Sequence, residues 1–272
     1  MKLLLIVRVP WQLEFYVQLS SECCGKAVQK KLEELDGIHQ VEIDVEKETV
    51  VLETTLASSQ IIQALELSGR RAVFKGYGTT LGSPFLGAAV AEMKGISGVL
   101  GVVRFLQSNE NTCIVDGTID GLTPGDHGIH IHEFGDLTGG CEGVGEHYNP
   151  TNSSHGGPDE RERHYGDLGN VTADDHGRAV FRKEDRVIKV WDIIGRSLVV
   201  TEKPDDLGQG STNSSKLDGN SGKRLSCGII ARSAGLFENP KKICLCDGIS
   251  VWNERDYPVA GESRNQKDKI EI

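Results

Sequence analysis

Residues 128–136 read Gly-Ile-His-Ile-His-Glu-Phe-Gly-Asp, and this stretch carries the pattern that decides the fold. Isoleucines alternate with histidines in it, so it predicts a β-strand with one face towards a core. His130 and His132 then project to the same face, about 7 Å apart along the strand. Two imidazoles presented together indicate a metal site built on a β-sheet.

Further short alternating runs surround this strand, with turn residues between them. Their spacing, together with the high glycine content of 33 in 272 residues, predicts an all-β sandwich or barrel. The predicted strands lie at residues 101–106, 112–119, 128–134, 178–182, 187–191, 197–200 and 225–231. Long polar connections interrupt them at 135–170 and 202–223, and connections of such length usually carry function.

Histidines are concentrated in one part of the chain: seven of the eight lie within residues 127–176. The connection after the histidine strand contributes His147, His155 and His164, and Asp167 follows three residues later. Three imidazoles and one carboxylate fill a tetrahedral zinc site without an open position, which is the structural type. A chance cluster of surface histidines is the alternative.

The region before the barrel has a different pattern, in the order βαββαβ. Strand-like runs at 13–19, within 41–56 and at 72–74 alternate with helical spacing after Cys24 and over 58–67, which predicts an α+β ferredoxin-like domain. We place this domain at 11–77, a Gly-, Ser- and Pro-containing linker at 78–87, the barrel at 88–235 and a short, largely irregular tail at 236–272. We expect the tail to lie against the barrel.

Charge and hydropathy exclude several classes of protein. The formal net charge of −10 disfavours binding to nucleic acid or to anionic membranes. The apolar run from Leu3 to Val7 is too short for a secretory signal, and no cleavage site follows it. No later stretch approaches the ~20 apolar residues of a membrane span. We therefore expect a cytoplasmic protein.

Two close cysteine pairs stand out among the seven cysteines: Cys23 with Cys24, and Cys244 with Cys246. In a cytosolic chain such pairs favour soft-metal or redox chemistry, although chance pairing is the alternative. On an extended segment Cys244 and Cys246 face the same way, so they can share Cu(I) or form a disulfide. Cys23 and Cys24 lie at a predicted helix N-terminus, which favours the thiolate, but adjacent side chains diverge.

Residues 88–235 resemble copper/zinc superoxide dismutase. The matching segments are 128–136, 147–150, 154–158, 164–170 and 205–208. The resemblance implies a Greek-key eight-stranded barrel with the zinc ligands His147, His155, His164 and Asp167 and copper ligands at His130 and His132. It further assigns His147 to face the copper position, Asp205 to link the two sites, Arg224 to guide an anionic substrate, His127 to a buried structural role, and Cys141 and Cys227 to an intrachain disulfide.

One copper ligand of that family is missing. The family has a histidine directly before Glu-Lys-x-Asp-Asp-Leu-Gly, and Thr201 occupies that position here. A hydroxyl is a poor ligand for copper in either oxidation state. We therefore interpret His130, His132 and Thr201 as a vestigial copper site and expect no enzyme activity from it. A dismutase that tolerates three ligands is the alternative.

Residues 11–77 resemble heavy-metal-associated domains, and the whole chain resembles the copper chaperones for superoxide dismutase. The family's first domain carries Met-x-Cys-x-x-Cys, whereas this chain reads Leu19-Ser-Ser-Glu-Cys-Cys24. Cys24 matches the second cysteine, Ser21 replaces the first, and Cys23 is a displaced substitute. Copper binding at Cys23 and Cys24 and a purely docking role for this domain are the two interpretations.

The resemblance implies a metallochaperone that docks on copper/zinc superoxide dismutase as a heterodimer, with residues 228–232 in the contact. It implies delivery of Cu(I), formation of the target's disulfide by the transfer thiols Cys244 and Cys246, one structural zinc, an upstream copper source and a homodimer in the free protein. By resemblance, the mitochondrial intermembrane space and the nucleus are further locations. Two rival hypotheses are an active dismutase with extra domains and a zinc-stabilised interaction protein without copper transfer.

Overall fold

The computed structural model describes residues 9–79, 85–95 and 98–236, together with Trp252. It contains both predicted architectures, an α+β domain followed by an all-β barrel, so the predicted fold class is confirmed. Cys244 and Cys246 lie outside the described residues, as does most of the expected tail. Within the described residues, no helix is both long and apolar enough to cross a membrane.

The N-terminal domain is a four-stranded antiparallel sheet covered by two helices. Its elements are β1 (Trp11–Val17), α1 (Glu22–Glu33), β2 (Ile38–Asp44), β3 (Thr49–Thr54), α2 (Ser58–Leu67) and β4 (Ala72–Gly78). The strand order is β2-β3-β1-β4, which places β1 inside the sheet and β4 at one edge. Leu13, Phe15 and Val17 of β1 share a buried cluster with Val28 of α1 and Ile61 of α2. The βαββαβ prediction is thereby confirmed.

Eight antiparallel strands form the closed barrel. They are β5 (Ala88–Gly95), β6 (Leu100–Asn109), β7 (Thr112–Asp120), β8 (Gly125–His132), β9 (Asp167–Ala173), β10 (Ala179–Asp185), β11 (Ser197–Thr201) and β12 (Arg224–Arg232). Their order is β10-β7-β6-β5-β12-β11-β8-β9. β8, β9 and β10 are consecutive neighbours and β11 returns beside β8, which is a Greek key. Closure leaves the barrel without an exposed sheet edge.

Two barrel strands are absent from the prediction. β5 reads Ala-Ala-Val-Ala-Glu-Met-Lys-Gly, and alanine and glycine have low strand preference, so its alternation is a weak signal. β9 begins at Asp167, inside the region expected to be a functional connection. Both strands are nevertheless required, because β5 closes the barrel against β12 and β9 joins β8 to β10.

The predicted strand at 187–191 is wrong. The backbone amides of Val187 and Ile188 donate to Asp185 Oδ1 at 2.7 and 2.8 Å. This side-chain-capped turn diverts the chain into the short helix α3 (Val190–Ile193). Two further short helical segments of the barrel connections are α4 (Ser215–Asp218) and a 3₁₀ turn (Gly140–Val144).

A buried carboxylate joins the two domains. Asp116 of β7 accepts hydrogen bonds from Ser58 N at 3.0 Å and from Ser58 Oγ at 2.5 Å. Ser58 is the first residue of α2, so a barrel residue also faces the positive end of this helix. Burial raises the pKa of Asp116, while the Ser58 hydrogen bonds and Arg104 oppose that shift.

Cationic and aromatic side chains extend the same boundary. The Arg104 guanidinium lies 4.3 Å from the ring centroid of Phe74, and the Arg182 guanidinium lies 5.5 Å from a Trp11 ring. The apolar cluster of the N-terminal domain also includes the barrel residues Ala88, Leu106 and Ile114. The two domains therefore share one buried core across their boundary.

Replacing Asp116 with alanine removes the acceptor of both Ser58 hydrogen bonds. It also removes the carboxyl group that interacts with the charge of Arg104. We expect the free energy of unfolding to fall by about 2–4 kcal/mol, because buried polar groups lose their partner. Denaturant unfolding of the full chain measures this change. Asp175→Ala, in an exposed turn, is the matched control and should cost less than about 0.5 kcal/mol. Equal losses in the free energy of unfolding for the two variants would contradict a stabilising domain interface at Asp116.

Candidate metal sites

Four predicted zinc ligands converge between β8 and β9. His147, His155, His164 and Asp167 are buried, and their ligand atoms lie within 4.8 Å of one another. The Nδ1 atoms of the three histidines lie 2.8, 3.0 and 3.2 Å from carboxylate oxygens of Asp167. A tetrahedron with bonds of about 2.0 Å has edges of about 3.3 Å, so this spacing suits one zinc ion.

The protonation chemistry of this cluster also fits a cation. His155 Nδ1 and His164 Nδ1 are buried and have no aligned hydrogen-bond partner among the described residues. Burial lowers the pKa of His147 to about 3, so this imidazole is neutral. Burial opposes the charge on Asp167, but the three imidazoles outweigh it and hold its pKa far below the usual value. Neutral imidazoles beside an ionised carboxylate are the ligand forms that zinc requires.

Asp205 links the zinc-type cluster to the histidines of β8. His155 Nε2 donates to Asp205 Oδ1 at 2.7 Å, and His130 Nε2 donates to Asp205 Oδ2 at 3.0 Å. Burial disfavours the charge of Asp205, but these two imidazoles outweigh it and lower its pKa. Burial likewise disfavours a charged His155, yet Asp167 and Asp205 raise its pKa to about 9. A zinc ion would therefore displace a proton from His155.

The predicted copper position contains three imidazoles and a threonine. The rings of His130 and His147 are stacked with centroids 4.0 Å apart, and those of His132 and His147 are 5.0 Å apart. Thr201 Oγ1 donates to the carbonyl of Gly128 at 3.1 Å, so the backbone engages its proton. The structure thus brings the family's remaining ligand positions together, and Thr201 adds no imidazole to them.

Arg224 is held by backbone carbonyls of the 3₁₀ turn (Gly140–Val144) and of the residue that follows it. Its guanidinium donates to the carbonyls of Cys141 and Gly145, both at 2.8 Å. A disulfide between Cys141 and Cys227 ties this turn to β12, and His132 Nδ1 donates to the same Gly145 carbonyl at 3.0 Å. Arg224, the turn and His132 therefore share one backbone anchor.

His127 is buried between backbone carbonyls at the start of β8. Its Nδ1 lies 2.8 Å from the Thr201 carbonyl, and its Nε2 lies 2.8 Å from the Thr123 carbonyl. A single neutral imidazole donates to one of these carbonyls at a time. This arrangement ties β8 to β11 and leaves His127 outside the zinc-type cluster.

The N-terminal thiols differ from each other. Cys24 is buried, and its Sγ lies 3.3 Å from both Ser20 Oγ and Ser21 Oγ, whereas Cys23 is exposed. The hydroxyls of Ser20 and Ser21 lower the pKa of Cys24 to about 6, so it is a thiolate at neutral pH. Cys23 and Cys24 therefore occupy different environments. Ser20 is the functional residue that the sequence analysis missed; its only signal is the Ser-Ser step before the helix.

Comparison with known proteins agrees with both domains. A family model described as copper/zinc superoxide dismutase matches residues 99–230, and a heavy-metal-associated domain model matches residues 14–71. A protein of Rattus norvegicus named "Copper chaperone for superoxide dismutase" is 56% identical over 252 residues, covering 93% of this chain and 92% of that protein. This chain belongs to the family of copper chaperones for superoxide dismutase.

Other relatives separate this family from the dismutases. The Homo sapiens "Copper chaperone for superoxide dismutase" is 54% identical over 254 residues, which is 93% of this chain and 92% of that protein. The Xenopus laevis "Superoxide dismutase [Cu-Zn] A" is 50% identical over 145 residues, which is 52% of this chain and 95% of that protein. The dismutase thus matches about half of the chain, and the chaperone matches nearly all of it. The resemblance seen in the sequence is confirmed.

Removal of a zinc-type ligand should abolish tight zinc binding. We expect Asp167→Ala to weaken zinc affinity more than Asp205→Ala, because Asp205 orients His155 without completing the tetrahedron. Loss of such an orienting partner typically costs about 10–100-fold in metal affinity. Competition with a chromophoric chelator measures both variants, with Asp175→Ala as control. Wild-type zinc affinity in Asp167→Ala would contradict the ligand set.

The lowered pKa of Cys24 predicts a specific pH dependence of alkylation. In a Cys23→Ser background, the reaction rate with iodoacetamide should rise as the pH passes through about 6, because the thiolate is the reactive form. Ser20→Ala removes a hydrogen bond to the thiolate and should move the midpoint to higher pH. Cys113 is an internal control, since burial raises its pKa. A Cys24 midpoint near that of an ordinary thiol would contradict the assignment.

Proposed function

We propose that this protein is a copper metallochaperone that docks on copper/zinc superoxide dismutase, delivers Cu(I) and promotes formation of the target's intrachain disulfide. The observation that carries this proposal is a dismutase-like barrel that retains the zinc-type cluster but has Thr201 at the fourth copper position. The two relatives that match nearly the whole chain are both named copper chaperones, which supports the same function.

The barrel supports docking because it resembles the target. Ile229 of β12 and Phe134 are 42% and 56% exposed, although both are large apolar residues. Exposed apolar side chains of this kind are typical of protein interfaces. A homologous target would present an equivalent surface, so the two barrels can pair in the manner of a two-fold dimer. The same surface would serve a homodimer of the free chaperone.

The metal region of the barrel favours a structural role over catalytic turnover of superoxide. His147, His155, His164 and Asp167 would hold one zinc ion that cross-links the long connection to β9 and supplies no redox chemistry. The guanidinium of Arg224, which in the enzyme family guides an anionic substrate, is engaged here by the carbonyls of the 3₁₀ turn. We therefore propose a barrel that serves as a recognition domain.

Copper is cargo in this proposal. Thiolates suit Cu(I), and Cys24 is a thiolate at neutral pH, with the exposed Cys23 beside it in sequence. Cys244 and Cys246 supply two further thiols in the tail. Copper would pass by ligand exchange from an upstream source to the target. In the disulfide step, two target thiols reduce an oxidised Cys244–Cys246 pair by exchange, which leaves the target disulfide and two tail thiols. Dioxygen then re-forms the tail disulfide by taking up the two electrons and two protons as hydrogen peroxide. We place this activity in the cytoplasm, with the intermembrane space and nucleus as further locations.

The decisive assay uses a copper-free, zinc-loaded, disulfide-reduced dismutase. Purified chaperone with Cu(I) should raise its activity, and Cys244→Ser/Cys246→Ser should lose most of that gain because the transfer thiols are absent. Cys113→Ser is the matched control, since this thiol is buried in the barrel core. An unchanged dismutase, or a double variant as effective as wild type, would overturn the proposal.

Two further measurements separate the rival functions. The active-dismutase hypothesis predicts superoxide turnover by the zinc- and copper-loaded chain itself, and Thr201→His should raise that turnover if the fourth ligand is what is missing. The zinc-stabilised interaction hypothesis predicts that titration of Cu(I) against a competing chelator detects no tight site. Tight Cu(I) binding without superoxide turnover is the result that the chaperone proposal requires.

A further inference from the structure

The chain that leaves the barrel runs along the edge strand of the N-terminal sheet. Tyr77 of β4 forms a parallel bridge with Gly235. A Cβ atom on Gly76 would lie 2.7 Å from the Gly235 carbonyl oxygen, and one on Gly78 would lie 2.7 Å from Leu236 Cδ1. Because Gly76 and Gly78 have no side chains, Gly235 and Leu236 can pack directly against the backbone of β4. An edge strand that receives an extra segment in this way covers part of its open edge.

The outer face of the same sheet carries a buried aromatic residue. Tyr16 of β1 lies between the core residues Phe15 and Val17, so it projects to the side opposite the helices, yet it is only 3% exposed. Lys75 Nζ lies 4.8 Å from the Tyr16 ring centroid and 2.5 Å from Glu14 Oε1. The uncovered face of an antiparallel sheet is normally hydrated, so burial of these residues requires a cover.

Trp252 contributes to that cover. Its ring centroid lies 6.3 Å from that of Tyr16 with an interplanar angle of 67°, which is the edge-to-face arrangement that aromatic pairs prefer. The stretch from Leu236 to Trp252 contains Cys244 and Cys246. It begins beside β4 and ends on β1, so both of its ends lie on the same sheet.

We propose that the N-terminal domain is the docking surface for the C-terminal tail of the same chain. Trp252 packs on Tyr16, and Gly235 and Leu236 lie along the β4 edge. The sequence analysis expected the tail to lie against the barrel, whereas the described residues Leu236 and Trp252 contact the N-terminal domain. This inference concerns the position of the tail and does not depend on copper transfer.

We call the contact between Trp252 and Tyr16 the anchor. The number of residues between the anchor and the tail thiols limits how far these thiols can lie from Tyr16. Cys246 precedes Trp252 by six residues, which span at most about 20 Å when fully extended. Tyr16 is the last residue but one of β1, and the chain continues from there through Ser20 and Ser21 to the thiolate of Cys24. In this proposal the contact at Trp252 raises the local concentration of the tail thiols near the N-terminal domain.

Limited trypsin digestion of the full chain tests the anchor, with mass spectrometry of cleavage after Lys241, Lys242 and Arg255. Trp252→Ala should speed these cleavages about two- to tenfold, because an aromatic pair shifts the open population by that order. Trp191→Ala is the matched control: it removes the same side chain from an exposed position on α3 of the barrel. Cleavage of Trp252→Ala at the wild-type rate, or equal acceleration by Trp191→Ala, would overturn the proposal.

The pair itself is tested with a double variant. Tyr16→Leu should speed cleavage as Trp252→Ala does, and the combination should be no faster than either single change, since both remove one contact. Gly78→Val should act in the same direction by blocking Leu236. Additive acceleration in the double variant would overturn the pairing. Wild-type cleavage rates that fall with protein concentration would instead indicate a second copy as the occupant.

Discussion

The carboxylate of Asp167 is the constraint on which the metal region of the barrel depends. It faces the Nδ1 atoms of three buried histidines, and its Oδ2 also accepts from the backbone amides of Gly156 and His164 at 3.2 and 2.8 Å. A buried carboxylate without such partners would cost several kcal/mol. Asp167 is the first residue of β9, so its carboxylate joins the long connection between β8 and β9 to the sheet.

The same network continues from His155 through Asp205 to His130. The zinc-type cluster and the histidines of β8 are thus positioned by shared carboxylates, whether or not a redox metal is used. The form of the barrel therefore does not depend on an imidazole at position 201. A fold of this kind can keep its shape when one side chain of a site differs, because function resides in the site and not in the fold.

Rigid and tethered parts are combined in this chain. Asp116 and Ser58 hold the N-terminal domain on the barrel through buried contacts, which fixes the thiolate of Cys24 relative to the barrel. Leu236 and Trp252, which flank the cysteines of the tail in sequence, both contact the same domain. A carrier of soft metal benefits from this arrangement, because ligand exchange between thiolates needs proximity.

Local pattern in the sequence determined both domain classes and the types of metal donor, because strand and helix periodicity and ligand chemistry are properties of neighbouring residues. The folded structure was needed to show that Asp185 diverts the chain after β10 into α3 and that Cys23 and Cys24 occupy different environments. It also decided that Asp116 caps a helix 58 residues away and that Trp252 meets Tyr16. These outcomes depend on contacts between distant parts of the chain, and no local pattern specifies which distant groups meet.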